Sequence, residues 1–296
     1  DSQKRAVELP IPEREVNSMG FVLTPEELDF LNSKENTTFD FYNQQQLMVF
    51  WETKPEIVAR IVPKPLKPVA PMVTAFVATY PRVNFCTPYK EGGLFIPVEY
   101  EGEMGTYCLA MPLDNDDNAI ALGREVGGFP KKRANIYLNR EGNIAEGWIE
   151  RHGIRFFHVK AEIGGEPNVA EAKPALAGKG EPEEWSLVYN FRHDMTFYSG
   201  KCEMSRVELL RDYNRIKIHS SELGKAELNL APSVDDPWAD LEVVRVLGAR
   251  YRLQDLSMCK FNIACELDGE ELKPYLFKGW DTSLLKFDTQ LFKFSK

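Results

Sequence analysis

Short runs rich in β-branched and aromatic residues, broken by turn residues, dominate the middle of the chain. Val73 to Tyr80, Gly93 to Tyr100, Thr106 to Leu113, Asn135 to Leu138, Ile144 to Ile149 and Arg155 to Ile163 read as strands. Arg140-Glu141-Gly142-Asn143 and His152-Gly153 sit between such runs as hairpin turns do. Beyond them, Ser186 to Phe191, Lys201 to Leu210, Tyr213 to Ser220 and Ala226 to Leu230 continue the strand pattern, and Arg250 to Leu267 is mixed. Helical starts are few. Thr24-Pro25-Glu26-Glu27 combines a Thr cap, a first-turn proline and acids favoured by the helix dipole, with Leu28, Phe30 and Leu31 expected on its buried side. Thr53-Lys54-Pro55-Glu56 has capping-box spacing and leads into a short helix that Pro63 and Pro65 must stop. Pro237-Trp238-Ala239-Asp240 opens a third short helix, expected to run through Val246.

Many short strands with few helices predict a mainly β, α+β chain, its antiparallel sheets curled into a β-barrel-like core with a few peripheral helices. Residues 1–46 read as a peripheral segment and 47–296 as a single domain. Gly164 to Glu184, rich in Gly, Pro, Ala and Glu, reads as a long surface loop or insertion, because strand-like sequence resumes directly after it.

Composition narrows the function. Of 296 residues, 43% are hydrophobic and 27% charged, enough for a sizeable core. A net charge of −9 without a basic tract argues against nucleic acid as a partner. No apolar run approaches the roughly 18 residues needed to span a bilayer, so no membrane partner is expected either. Residues 1–15 are polar and do not resemble a signal peptide. The cysteines (Cys86, Cys108, Cys202, Cys259 and Cys265) are odd in number and form no CxxC pair, as in a cytoplasmic protein with reduced thiols.

The candidate chemistry lies in Gly123-Arg124-Glu125-Val126-Gly127-Gly128-Phe129-Pro130-Lys131-Lys132. A free lysine amine has a pKa of about 10.4 and is protonated at neutral pH, without the lone pair that attacks a carbonyl. Desolvation or a neighbouring cation lowers that value. Lys132 adjoins Lys131, and Phe129 and Pro130 can supply apolar walls. The same pair also suits a solvated turn, and adjacent residues of a strand point to opposite faces.

This segment resembles the active-site signature of the acetoacetate decarboxylase family. The similarity extends to Lys90-Glu91-Gly92-Gly93-Leu94-Phe95-Ile96-Pro97-Val98, to Leu113-Asp114-Asn115, to Ala119-Ile120-Ala121-Leu122 and to Ile61-Val62-Pro63-Lys64-Pro65-Leu66. By this resemblance Lys131 is the Schiff-base lysine, Lys132 the cation that depresses its pKa, and Glu91 an acid of the site. These roles are carried over from the family. Arg124 and Glu125 are expected to form a structural ion pair or network beside the site. Two positions depart from the family pattern: Gln44 stands where the family has an arginine, and Phe76 where it has a second acid. The resemblance implies a lyase that decarboxylates a β-keto acid through a lysine iminium and enamine. An aldolase–dehydratase using the same lysine, or a barrel that binds a carbonyl-bearing or apolar ligand without turnover, are the alternatives. It further implies a small-molecule keto acid or other carbonyl substrate, no metal or organic cofactor, and a homo-oligomer.

Other motifs carry less. Asp114-x-Asp116-x-Asn118 with Glu125 imitates a calcium loop, but Ala119 occupies the position that needs glycine. His152, His158, His193 and His219 show no metal-ligand spacing.

Overall fold

The computed structural model describes residues 21–33, 38–178, 180–198 and 201–281. The chain separates into two compact units, residues 1–37 and 38–296. Helix α1 (Pro25–Asn32) belongs to the first. Its start is a reciprocal cap: the Glu27 N–H donates to Thr24 Oγ1 at 3.2 Å, and the Thr24 N–H donates to Glu27 Oε2 at 2.8 Å. Leu28 is 47% exposed and does not form the buried side expected of it. The Phe30 and Leu31 side chains lie outside the described residues.

The second unit is built on strands. In chain order they are β1 (Phe39–Glu52), β2 (Lys67–Pro68), β3 (Met72–Tyr80), β4 (Arg82–Val83), β5 (Tyr89–Tyr100), β6 (Glu103–Leu113) and β7 (Lys131–Arg133). Then follow β8 (Asn135–Glu141), β9 (Ile144–Arg151), β10 (Ile154–Ile163), β11 (Glu183–Tyr198), β12 (Lys201–Leu230) and β13 (Arg245–Leu267). Between them lie α2 (Pro55–Ile61), α3 (Asp117–Glu125) and α4 (Lys173–Ala177), and α5 (Gly269–Leu276) follows the last strand.

Hydrogen bonding joins β6-β5-β3-β1-β13-β12-β11 in that order, and β11 returns to β6, so these strands close into a ring. The seam is parallel and short, pairing Val188 with Thr106 and Tyr189 with Tyr107. Strands β10, β9 and β8 continue from β12 as an arm off the ring. This is the expected curled, mainly antiparallel sheet.

Strand alternation assigns the two faces of the wall. On β1, Leu47, Val49 and Trp51 are fully buried on the outer face, where Val73, Ala75 and Val77 of β3 and Leu94 and Ile96 of β5 join them. The arm packs against that face with Ile136, Ala145, Ile149 and Phe157. The main hydrophobic core therefore lies between ring and arm, outside the barrel. Gly92 permits this approach, since a Cβ there would meet Ile149 Cδ1 at 2.2 Å. The inner face carries Gln44, Gln46, Met48 and Phe50 from β1 and bounds a cavity of about 350 Å³.

Several sequence expectations change. The boundary at 46/47 falls inside β1, because the residues from Phe39 onward pair with β13. Lys54, not Thr53, is the cap position of α2 and makes no side-chain cap bond. Thr53 lies just past the end of β1, its N–H donating to Pro71 O. The separate strands expected across 201–230 are one bulged strand, and the mixed segment from Arg250 is part of β13. Inward-facing polar residues (Arg250, Arg252, Gln254) broke the apolar alternation there. The helix expected from Pro237 is a single 3₁₀ turn, Trp238–Asp240, before β13 begins. The loop at 164–184 contains α4, whose Leu176 is 1% exposed, and so it is partly core. The turns at Gly142 and at His152-Gly153 are as expected, with φ of +61° at Gly142, +51° at His152 and +76° at Gly153.

Candidate active site

Helix α3 sets the approach to Lys131. The Asp116 side chain caps it, accepting from the Ala119 N–H at 2.7 Å. That is the work of the acidic run which imitated a calcium loop. After Glu125 the chain turns through Gly127-Gly128. Gly128 has a φ of +65°, and a Cβ on it would sit 2.9 Å from the Phe191 carbonyl. The Phe129 N–H then donates back to Gly123 O at 2.9 Å, and β7 runs parallel to β6 with Lys131 beside Met111.

Gly123 has a specific task. A Cβ there would lie 2.2 Å from Lys131 Cε and 2.5 Å from Cδ, so the missing side chain is the channel through which the lysine passes. Gly123→Ala is expected to displace the flexible Lys131 arm and leave the backbone intact. Catalytic turnover should fall on the order of 10²-fold while thermal stability changes little, because misplacing a reacting atom by about 1 Å costs that much. Steady-state kinetics beside a melting curve checks this. Unchanged turnover would show that the channel is not needed.

Lys131 is 5% exposed and Glu91 4%. The Lys131 ammonium pairs with Glu91 Oε2. The Tyr80 hydroxyl donates to Glu91 Oε1 at 3.1 Å. The Tyr89 and Phe129 rings flank Lys131, each centroid 5.8 Å from Nζ. Burial, reinforced by the Glu91 charge, pushes the Tyr80 and Tyr89 phenols well above their ordinary value, so both stay protonated donors. Burial first, then the charge of Asp116, pushes the nearby Cys86 thiol up to about 12, which leaves it unreactive as a nucleophile.

Lys132 points the other way. Alternation along β7 turns it to the opposite face, where its Nζ donates to the Asp235 carbonyl and lies 3.4 Å from both Asp236 Oδ1 and Asp281 Oδ1. Arg151 completes this cluster, 2.7 Å from Asp236 and 2.9 Å from Asp281. The expected second cation beside Lys131 is thus paired with carboxylates across the strand. Asp281 is held well below the usual carboxylate range by its bonds from Arg151 and His152, which outweigh the opposing effect of burial. His152, Asp235 and Asp281 bring ligand atoms within 4.8 Å of one another. The Arg151 and Lys132 contacts to Asp281 already supply positive charge there, and the cluster reads as an ion network that reaches the surface at His152.

The remaining expected residues divide between the cavity and its outside. Gln44, 2% exposed, lines the cavity and accepts from Gln254 Nε2 at 3.1 Å. Phe76 also lines it, stacked on Phe95 at 5.8 Å between centroids. Arg124 and Glu125 end α3 beside a second, outer hollow, with Arg124 over the Trp280 ring at 5.8 Å. Neither carries the expected ion pair among the described residues.

Sequence reasoning missed Tyr80, Tyr89, Arg250, Arg252 and Lys278. Burial pushes Lys278 down to about 7, with its Nζ bonded to Cys108 O and 3.9 Å above the Tyr107 ring. A tyrosine two residues before Glu91 was within reach of sequence reading. The arginines of β13 gave no local signal.

Known proteins place this arrangement in a class. The model of the family described as acetoacetate decarboxylase (ADC) matches residues 30–266. The chain is 32% identical over 228 residues to an acetoacetate decarboxylase of Bordetella avium (strain 197N), covering 74% of this chain and 85% of that one. It is 28% identical over 245 residues to a CLA biosynthesis isomerase of Lactiplantibacillus plantarum, covering 80% and 87%. Its fold superposes on the crystal structure of an acetoacetate decarboxylase from Legionella pneumophila with a TM-score of 0.67 at 21% identity, covering 78% of this chain and 88% of that one. The chain belongs to the acetoacetate decarboxylase family, a family of enzymes. No helix among the described residues is long and apolar enough to cross a membrane.

Proposed function

We propose that Lys131 forms an imine with the carbonyl of a substrate held in the ring cavity, and that the enzyme acts as a lyase releasing CO2 from a β-oxo acid. The observation that carries this reading is the buried Lys131–Glu91 pair opening onto a cavity with largely apolar walls. Attack needs a neutral amine, and Glu91 is the group positioned to take the Lys131 proton. Loss of water from the carbinolamine gives an iminium. When the C–CO2 bond breaks, its electron pair enters the iminium and leaves an enamine. A proton delivered from the Glu91 side restores the iminium, and hydrolysis releases the ketone and free lysine. The iminium is itself the electron sink, so the sequence of steps calls on no metal or cofactor. Apolar walls help, because a carboxylate is costly to bury and CO2 is not.

The test is covalent trapping. Borohydride added during turnover of acetoacetate should reduce the imine and leave a mass adduct that peptide mapping places on Lys131, with CO2 evolved beforehand. No adduct on Lys131 with acetoacetate, acetone or longer ketones would sink the reading.

A further inference from the structure

The strand that carries Lys131 is held to the ring on one edge. Among the described residues β7 pairs with β6 alone, through Met111, Pro112 and Leu113. β5 occupies the other edge of β6, from Glu103 to Leu113. The seam with β11 therefore shares an edge of β6 with β7. β11 meets Thr106 and Tyr107 near the start of that edge, and β7 meets its end. Between the two lies Cys108, whose carbonyl accepts from the Lys278 side chain. No ladder joins β7 to β11 among the described residues.

Arg192 of β11 crosses that gap. Its Nη1 donates to Val126 O at 3.2 Å, at the C-terminus of α3. Its Nε donates to Glu208 Oε2 at 2.7 Å, and Nη2 lies 2.7 Å from the same oxygen. Glu208 stands opposite Arg192 on β12 and is 5% exposed. A carboxylate bonded by two guanidinium nitrogens fixes the direction of the third, here toward the helix end. The last carbonyls of a helix lack intrahelical donors and carry partial negative charge, and a guanidinium held there answers both. The backbone is close as well: a Cβ on Gly128 would lie 2.9 Å from Arg192 N and from the Phe191 carbonyl carbon.

Backbone bonds carry the position of this helix end on to the lysine. The Val126 N–H donates to Leu122 O at 3.0 Å and the Gly128 N–H to Arg124 O at 3.2 Å. The Phe129 N–H donates to Gly123 O at 2.9 Å, and the Lys131 N–H to Phe129 O at 2.8 Å. Gly123, whose missing side chain gives the Lys131 stem its room, thus lies within one helical turn of the carbonyl that Arg192 holds. Neither Arg192 nor Glu208 lines the ring cavity, so neither touches a substrate bound there.

We propose that Arg192 is a positioning residue: locked by Glu208, it holds the end of α3 against β11 and so sets where Lys131 meets the substrate carbonyl. The proposal rests on the imine reading for the role of Lys131. Without this clamp the end of α3 is free to lift from β11, and the Gly123 channel moves with it. A lysine at position 192 keeps the charge. It cannot grip Glu208 with two nitrogens and reach Val126 O with a third, so it does not replace the arginine.

The experiment compares Arg192→Lys, Arg192→Ala, Glu208→Gln and the double variant Arg192→Ala/Glu208→Gln with wild type during turnover of acetoacetate. Turnover is counted per Lys131 labelled by exhaustive borohydride trapping, so that unfolded protein does not enter. Each single variant is expected to lose roughly 10- to 100-fold in kcat with KM within about threefold of wild type, as a lysine displaced by about 1 Å would. The double variant should be no slower than Arg192→Ala, because both changes remove one clamp. Free guanidinium at a non-denaturing concentration should restore part of kcat to Arg192→Ala. If Arg192→Ala does not fold, Arg192→Lys decides. Wild-type kcat in the folded variants, or a rise in KM alone, overturns the proposal. Wild-type turnover without any adduct on Lys131 sinks the imine reading instead, and kcat per folded protein then judges the clamp.

Discussion

Lys131→Gln is expected to abolish the borohydride adduct with every carbonyl compound and to lower turnover on the order of 10⁴-fold or more. The substitution keeps most of the side-chain length and can still hydrogen-bond Glu91, but glutamine has no nucleophilic amine. In covalent catalysis removal of the nucleophile takes away the reaction path itself, and only residual binding effects remain. The fold should survive, because Lys131 lies on the cavity side of the wall while the main core lies between ring and arm. Some stability is lost, since Glu91 remains buried without its counterion, a change costing roughly 3–5 kcal/mol. Turnover assays with a melting curve separate the two effects. A folded Lys131→Gln protein that still turned over at a tenth of the wild-type rate would remove Lys131 from the chemistry.

Glu91→Gln should lower kcat by roughly 10²- to 10⁴-fold, the range typical of a lost general acid–base. Its shape is nearly unchanged, and the amide oxygen still accepts from the Tyr80 hydroxyl. What disappears is the proton acceptor beside Lys131 and the charge that pairs with it. Imine formation should therefore slow without vanishing, so that prolonged borohydride trapping still labels Lys131. This pattern, slow trapping with a full final adduct, distinguishes proton transfer from a purely structural role. A rise in KM with kcat unchanged would make Glu91 a binding residue only.

Much of the fold was legible in the sequence, and the reasons differ by element. Strands whose outer face meets the arm, such as β3 and β5, are dense in β-branched and aromatic residues because they are packed from behind. Strands that line the polar end of the cavity were blurred. In β13 the inward positions are Arg250, Arg252 and Gln254, so polar residues occupy sites that burial usually gives to apolar ones. Helix α3 was hidden for another reason: its cap, Asp116, sits in an acidic run that also imitates a cation loop. At the site, Lys131 and Glu91 were readable through the family motif, though forty positions separate them in sequence. The direction of Lys132 depended on which face of β7 met the cavity, and that only the closed ring decides. Arg250 and Arg252 carry no motif, and their meaning comes from sharing a hollow with Lys131.

The placement of the main core outside the ring has a consequence for how such a protein changes over time. Folding and recognition are assigned to opposite sides of one wall. Because Leu47, Val49 and Trp51 anchor β1 from behind, the side chains alternating with them are released from holding the sheet together. Exchanges at a cavity position such as Gln44 can then accumulate while the outer face still holds the wall. A wall built this way can keep its scaffold while the lining of its cavity changes.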